Sequence, residues 1–373
     1  MRTRPGKIVL TLLFVAILWL PLAAMFSGQK QSYSVNEKRP LARFPVLQLT
    51  EPIKLSRDIE KFFNDHFGFR DDLIHWFHRI QLGVLDISTS GRVLKGKDGW
   101  LFQTGEPHFV EMRNAWPFGE NELETWATTL QEKQDTLRVR GVRYLFVITA
   151  NKHLVYPEKL PDSVKIIDTP PRAEQLAEYL RRHTDVPVLY LRPHLVAEKE
   201  KKELRLYHKT DTHWNEYGAY HGYTAIMDRL HDWFPGIPKI GLADSDFVTV
   251  AREGGDLARN LNLSDVIPEQ AIEPRDWETD CAEYSGIKKD DGRQRRFFRP
   301  FTTECEEGGG RVLMLRDSYS LDLMPYLSET FEYIHYYPVS PRPLDLILEL
   351  VEEHEPDVVI EQRASRWLRT PNG

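Results

Sequence analysis

Residues 311–320 read Arg-Val-Leu-Met-Leu-Arg-Asp-Ser-Tyr-Ser. The apolar run Val312–Leu315 is too short for a helix and has no polar member to face water, so it fits a strand buried on both faces. Asp317, Ser318 and Ser320 follow it, and all three are good helix N-caps. A buried strand turning into a helix is the unit of a parallel sheet. The pattern recurs on either side. Strands are expected at Tyr144–Thr149, Val186–Leu191, Tyr333–Tyr337 and Asp357–Glu361. Helical patterns at 120–139, 171–184, 215–233, 320–328 and 344–354 separate them. Strands alternating with helices predict an α/β fold with a parallel sheet covered on both faces. Ligand sites in such sheets lie beyond the carboxyl ends of the strands.

The second informative segment is Tyr207–Tyr220, with Asp211 and His213 two positions apart. In an extended stretch they point to the same side. Asp211 can then orient the His213 imidazole while the other ring nitrogen faces Ser318, which is the division of labour of a Ser-His-Asp nucleophilic centre. Each member also has a plainer reading, Ser318 as an N-cap and His213 as a buried structural histidine. A metal site from His208, Asp211, His213 and His221 lacks the spacings that make such a reading specific; no metal and no cofactor is expected. Lys209, Asn151, Arg316 and Arg363 are candidates for binding substrate or an oxyanion. Asn151-Lys152 follow the first strand of the alternation, and Arg363 and Arg366 follow the last. Trp100, Trp116, Trp214 and Trp367 could stack on sugars, although core packing is the default for any one tryptophan.

The chain has 373 residues, is 41% hydrophobic and carries a formal charge of −7. That suits one large domain, and the absence of a long basic block gives no support to nucleic-acid binding. Residues 8–26 hold no charge. As a helix they reach roughly 28 Å, close to the thickness of a bilayer core. Arg2, Arg4 and Lys7 precede them and hold that end in the cytoplasm. An uncleaved anchor is favoured over a cleaved signal peptide; either way the body is exported. The expected division is therefore 1–30 as anchor or signal and 31–373 as the body. An insertion is expected at about 235–310, a stretch rich in Gly, Asp and Arg. Residues 56–90 have helical spacing, and 91–103 read as a hairpin turning at Lys97-Asp98-Gly99. Cys281 and Cys305 are the only cysteines, and in an exported protein the pair is expected to be bridged.

Five segments together resemble the AlgJ/AlgX family: Asn64–Arg70, Lys97–Phe102, Lys209–Tyr220, the strand with Arg316–Ser320, and Pro356–Leu368. The similarity spans about residues 35–370. The resemblance implies an SGNH-hydrolase-like three-layer α/β/α domain associated with O-acetylation of alginate and related exopolysaccharides. Ordinary members of that fold carry the serine first and the histidine motif last. Here strand 311–315 takes the place of the first strand, 333–337 the second, 357–361 the third, 144–149 the fourth and 186–191 the fifth, a circular permutation. On that mapping Glu361-Gln362-Arg363 stand where an oxyanion asparagine is often kept, and Arg316 replaces a glycine. The oxyanion hole is thus unassigned. The resemblance further implies Ser318 as nucleophile, His213 as general base and Asp211 as its partner. The expected activity is periplasmic O-acetyl transfer to an exported polysaccharide. A membrane-bound acyltransferase would be the acetyl-donor partner, and the inner membrane would hold the chain through residues 8–26. The rivals are a carbohydrate acetylesterase and a non-catalytic polysaccharide-binding or assembly protein.

Overall fold

The structure is a computed structural model that describes residues 5–27, 32–34, 39–46, 50–85, 91–201, 204–275, 281–287, 298–338 and 343–372. Its centre is a seven-stranded sheet. In chain order the strands are β1 (Arg143–Thr149), β2 (Val188–Tyr190), β3 (Glu283–Ser285), β4 (Phe301–Glu304), β5 (Arg311–Arg316), β6 (Tyr333–Pro338) and β7 (Val358–Ala364). Their spatial order is β2-β1-β7-β5-β6-β4-β3. The first five in that order pair in parallel, and β4 and β3 extend the sheet antiparallel. In the permuted count the parallel part reads fifth, fourth, third, first, second. The expected SGNH-type α/β fold is present with the expected strands.

Leu145, Phe146, Val147 and Ile148 of β1 are all fully buried, as are Leu313 and Met314 of β5. Adjacent strand residues point to opposite faces, so both faces are covered. Helix Glu120–Val139 packs on β1 and on helix Arg172–His183, and helix Leu344–His354 packs on β5. Helix Glu216–His231 begins at Asn215, whose side chain accepts from the Gly218 amide at 2.9 Å. A Cβ on Gly222 would lie 2.8 Å from the Trp214 ring. That glycine lets the helix close onto the tryptophan beside His213.

Two expectations need adjustment. β7 runs on to Ala364, so Glu361, Gln362 and Arg363 lie inside the sheet rather than in the loop beyond it. They read as a strand end because they are polar, but they are buried as a bonded group. Glu361 accepts from Lys133 at 3.1 Å, from the Tyr144 hydroxyl at 2.8 Å and from Arg363 at 2.7 and 2.9 Å. The helix expected at 320–328 is a 3₁₀ turn, Ser318–Asp322, followed by a short helix, Met324–Ser328. Segment 235–310 supplies β3 and β4 to the main sheet, a hairpin of Phe247–Arg252 with Glu269–Pro274, and helix Asp256–Asn260. The hairpin at Val93–Gln103 forms as expected. Cys281 and Cys305 are bridged, with Cα atoms 5.0 Å apart. The N-terminal helix Pro5–Ser27 is long and apolar enough over Gly6–Phe26 to cross a membrane.

Candidate active site

The serine turn is built by Asp317. Its Oδ1 accepts from the Tyr319 amide at 2.9 Å, capping the turn, and its Oδ2 accepts from the Ala364 amide at 2.6 Å. Its own amide donates to Gln362 Oε1 at 3.1 Å, which also accepts from Ser320 at 2.6 Å. The end of β5 is thereby fastened to the end of β7. Capping falls to Asp317, and the Ser318 hydroxyl is left for another partner.

That partner is His213, whose Nε2 lies 2.8 Å from Ser318 Oγ. Asp211 Oδ1 lies 2.7 Å from His213 Nδ1 and also accepts from the His213 amide at 3.0 Å. A carboxylate has no proton to give, so Nδ1 carries the proton and Nε2 is free to accept one from serine. Asp211 is held by the Asp256 amide, which donates to its Oδ2 at 2.8 Å. Thr212 donates to Asp256 Oδ2 at 2.7 Å, with its Oγ1 3.1 Å from His213 Nδ1. Gly255 allows this approach; a Cβ there would lie 2.4 Å from Asp211 Cβ. The buried Trp214 donates to the Tyr319 carbonyl at 3.0 Å, tying the histidine loop to the serine turn.

The fourth contact was not singled out as a site residue by the sequence. Arg366, two residues beyond β7, donates to Ser318 Oγ through Nη2 at 3.4 Å and to Asn151 Oδ1 through Nη1 at 2.6 Å. Its guanidinium lies 5.1 Å over the Tyr319 ring. The Asn151 amide nitrogen donates to Glu111 Oε2 at 2.5 Å. Asn151 thus spends its carbonyl oxygen on Arg366 and one N–H on Glu111, which makes it a positioning residue for the guanidinium. Burial pushes the Glu111 carboxyl up to about 7, against hydrogen bonds from Ser365 and Asn151. Lys152, beside Asn151, donates to the carbonyls of His208, Lys209 and Asp211 at 3.1, 3.1 and 2.7 Å. Burial lowers its ammonium to about 8. It braces the loop from beneath.

The other candidates lie elsewhere. Arg316 is fully buried, donates to the Arg299 carbonyl at 3.2 Å and sits over Phe301. Arg363 is bound to Glu361 inside the sheet and to the Thr370 carbonyl at 2.9 Å. Lys209 reaches outward to the Asp98 carbonyl at 3.0 Å. Trp100 and Trp214 are core residues, whereas Trp367, next to Arg366, is 47% exposed. A small cleft is lined by Gln103, His108, Asn151, Thr212 and Arg366, the residue that donates to Ser318. The four residues considered for a metal are not brought together: His221 lies with His194 and Glu198, and His208 Nδ1 is 4.0 Å from Glu269. Asp211, His213 and Asp256 offer ligand atoms within 4.8 Å of one another, but their hydrogen bonds already engage one another.

The family described as "SGNH hydrolase-like domain, acetyltransferase AlgX" matches residues 93–291, more than half of the chain. Among solved structures, Bacillus cereus PatB1 is similar with a TM-score of 0.54 at 17% identity, over 74% of this chain and 96% of that one. PatB1 with a sulfonyl adduct gives 0.53 at 16%, over 74% and 97%. The O-acetyltransferase domain of Pseudomonas putida AlgJ gives 0.48 at 19%, over 75% and 93%. None of the curated proteins matches. At 16–17% identity the likeness to the two PatB1 structures speaks for the fold alone.

Proposed function

The chain belongs to the AlgX family of SGNH hydrolase-like acetyltransferase domains, and from that premise we propose that it is an exported O-acetyltransferase. In this reading it carries acetyl on Ser318 to the hydroxyls of a polysaccharide. The observation that supports it is the continuous hydrogen-bonded chain from Asp211 through His213 to Ser318, at 2.7 and 2.8 Å.

The chemistry runs in two balanced halves. His213 Nε2 takes the proton from Ser318 as Oγ forms a bond to the acetyl carbonyl carbon of the donor. The tetrahedral adduct collapses, the bond to the donor oxygen breaks, and His213 returns the proton to that leaving oxygen. Acetyl is now an ester of Ser318. A sugar hydroxyl then enters by the cleft, gives its proton to His213 and attacks the same carbon. Ser318 Oγ leaves and recovers the proton. Asp211 stabilises the imidazolium formed in each half and fixes the tautomer. Arg366 and the Ser318 amide supply the donors for the negative oxygen of the adduct, replacing the absent asparagine. The exposed Trp367 beside Arg366 offers a sugar a flat apolar face.

Transfer rather than hydrolysis requires that an acceptor hydroxyl outcompete water for the acetyl-serine. The first helix, as an anchor, would keep the site beside a membrane-bound acyltransferase that brings acetyl across the bilayer. Ser318→Ala and His213→Ala should each abolish turnover of an activated acetyl ester in a folded protein. The double variant should be little worse than either, because triad members act as a unit. Asp211→Asn should be damaged less. Released acetate and acetylated oligosaccharide, measured in the same reaction, separate esterase from transferase. A Ser318→Ala protein that still supported full acetylation of the polysaccharide would leave only a binding role.

A further inference from the structure

Helices Pro52–His66 and Arg70–Gly83 bury no side chain completely, though both are rich in large apolar residues. On the second, Leu73, Trp76, Phe77 and Ile80 recur at i, i+3, i+4 and i+7, the spacing of one helical face. That face is turned outward: the four are 51, 57, 54 and 49% exposed. The helix is not undocked. On its other side His75 Nδ1 donates to the Asn262 carbonyl at 2.7 Å, and Asn262 donates to the Asp71 carbonyl at 2.7 Å. Leu82 packs on the small core around Val93, Leu101 and Leu257. An outward stripe of this kind marks an interaction surface.

The corner between the two helices points to the occupant. Gly68 is buried against the N-terminal helix: a Cβ there would lie 2.1 Å from the Pro21 carbonyl oxygen and 2.7 Å from Ala24 Cβ. Pro21 and Ala24 belong to the last turns of the apolar stretch Gly6–Phe26. An element fastened to the end of a membrane-crossing helix lies at headgroup depth, where tryptophan is enriched and arginine can reach water. Arg79 sits 5.2 Å over the Trp76 ring.

We propose that helices 52–66 and 70–83 form a platform resting on the bilayer, with the Leu73/Trp76/Phe77/Ile80 stripe sunk roughly 5–10 Å into the headgroup boundary. Lipid is the favoured occupant because the span already holds this surface against the bilayer. The platform also reaches the site. Asn262 lies just beyond helix Asp256–Asn260, and Asp256 holds Thr212 and Asp211. The platform therefore sets the height of Ser318 above the membrane. The inference rests on the anchored reading of the first helix and is independent of the chemistry assigned to Ser318.

The test uses the full chain in phosphatidylethanolamine–phosphatidylglycerol vesicles, with an environment-sensitive fluorophore on Phe77→Cys. Parallel labels sit on Leu13→Cys in the span and on Asp72→Cys on the polar side. Labels at Leu13 and Phe77 should brighten several-fold, shift to the blue and be quenched by lipid-borne doxyl groups. The Phe77 label should be quenched more by a doxyl near the headgroup than by one deep in the chain, and the Asp72 label should remain water-like. Ile80→Cys carries the same expectation should Phe77→Cys fold poorly. Quenching at Leu13 without quenching at Phe77 and Ile80 overturns the platform, whether water or another protein, including a second copy, covers the stripe. An unquenched Leu13 overturns the anchor and the platform with it.

Discussion

Arg366→Met removes the guanidinium beside Ser318 while keeping most of the apolar stem. In the tetrahedral adduct the negative oxygen sits on the carbon bonded to Oγ, so a donor 3.4 Å from Oγ in the resting site is within reach of it. The guanidinium cannot drift, because its other arm is held at 2.6 Å by Asn151, itself held by Glu111. Loss of one pre-set oxyanion donor costs about 100- to 1,000-fold in the chemical step, roughly 3–4 kcal/mol. Because the contact strengthens only as charge develops, the loss should fall on kcat with KM little changed. The assay is the acylation burst with an activated acetyl ester, alongside thermal unfolding. Arg366→Lys should recover part of the rate by restoring a charge without the forked geometry. A folded Arg366→Met protein that acylates at the wild-type rate refutes the oxyanion role, and equal losses in Met and Lys variants with a lowered Tm reduce Arg366 to a structural residue.

Glu111 titrates from 4.5 in the unfolded chain to about 7 in the fold because burial penalises its charge. Its contribution to stability is full below about pH 4.5 and is lost as pH rises through about 7, a swing on the order of 3 kcal/mol. Glu111→Gln should therefore lose less stability than wild type between those limits in denaturant titrations, and parallel curves would contradict the shift. Cys281 and Cys305 are separated by 24 residues, so replacing both with Ser should lower stability by about 2–4 kcal/mol. Acylation of Ser318 should survive below the new Tm, and an unchanged Tm would deny the bridge a stabilising role.

The strands were legible because Tyr144–Ile148, Val312–Leu315 and Val358–Ile360 are unbroken apolar runs suited to burial on both faces, whereas their permuted order came from the family resemblance. Asp211 and His213 were legible as a pair from their spacing, but for a different reason than the expected extended stretch: residues 209–213 form bends, and the His213 amide donating to Asp211 Oδ1 at 3.0 Å turns the two side chains together. What escaped was polar and long-range. Glu361, Gln362 and Arg363 look like a loop until Lys133 and Tyr144, more than two hundred residues earlier, are seen to complete them. Both Arg363 and Arg366 were placed beyond the last strand, and that misreading gave the binding role to Arg363 rather than to Arg366, which lies two residues past the true strand end. Asp256 lay in a segment with no regular pattern, and only the missing Cβ of Gly255 explains how it reaches Asp211. The antiparallel strands β3 and β4 are three and four residues long, β4 lying between β6 and the edge strand β3, so periodicity had too few residues to register.

The central claim is that acetyl resides on Ser318. The full chain is mixed with an activated acetyl ester, quenched in acid within the burst, digested and sequenced by mass spectrometry. The account predicts acetyl on Ser318 in the peptide bearing Arg316–Ser320, none in Ser318→Ala, and disappearance of the adduct when an oligosaccharide acceptor is added. Turnover with no adduct at Ser318, or with acetyl on a different residue that acceptor discharges, would contradict it.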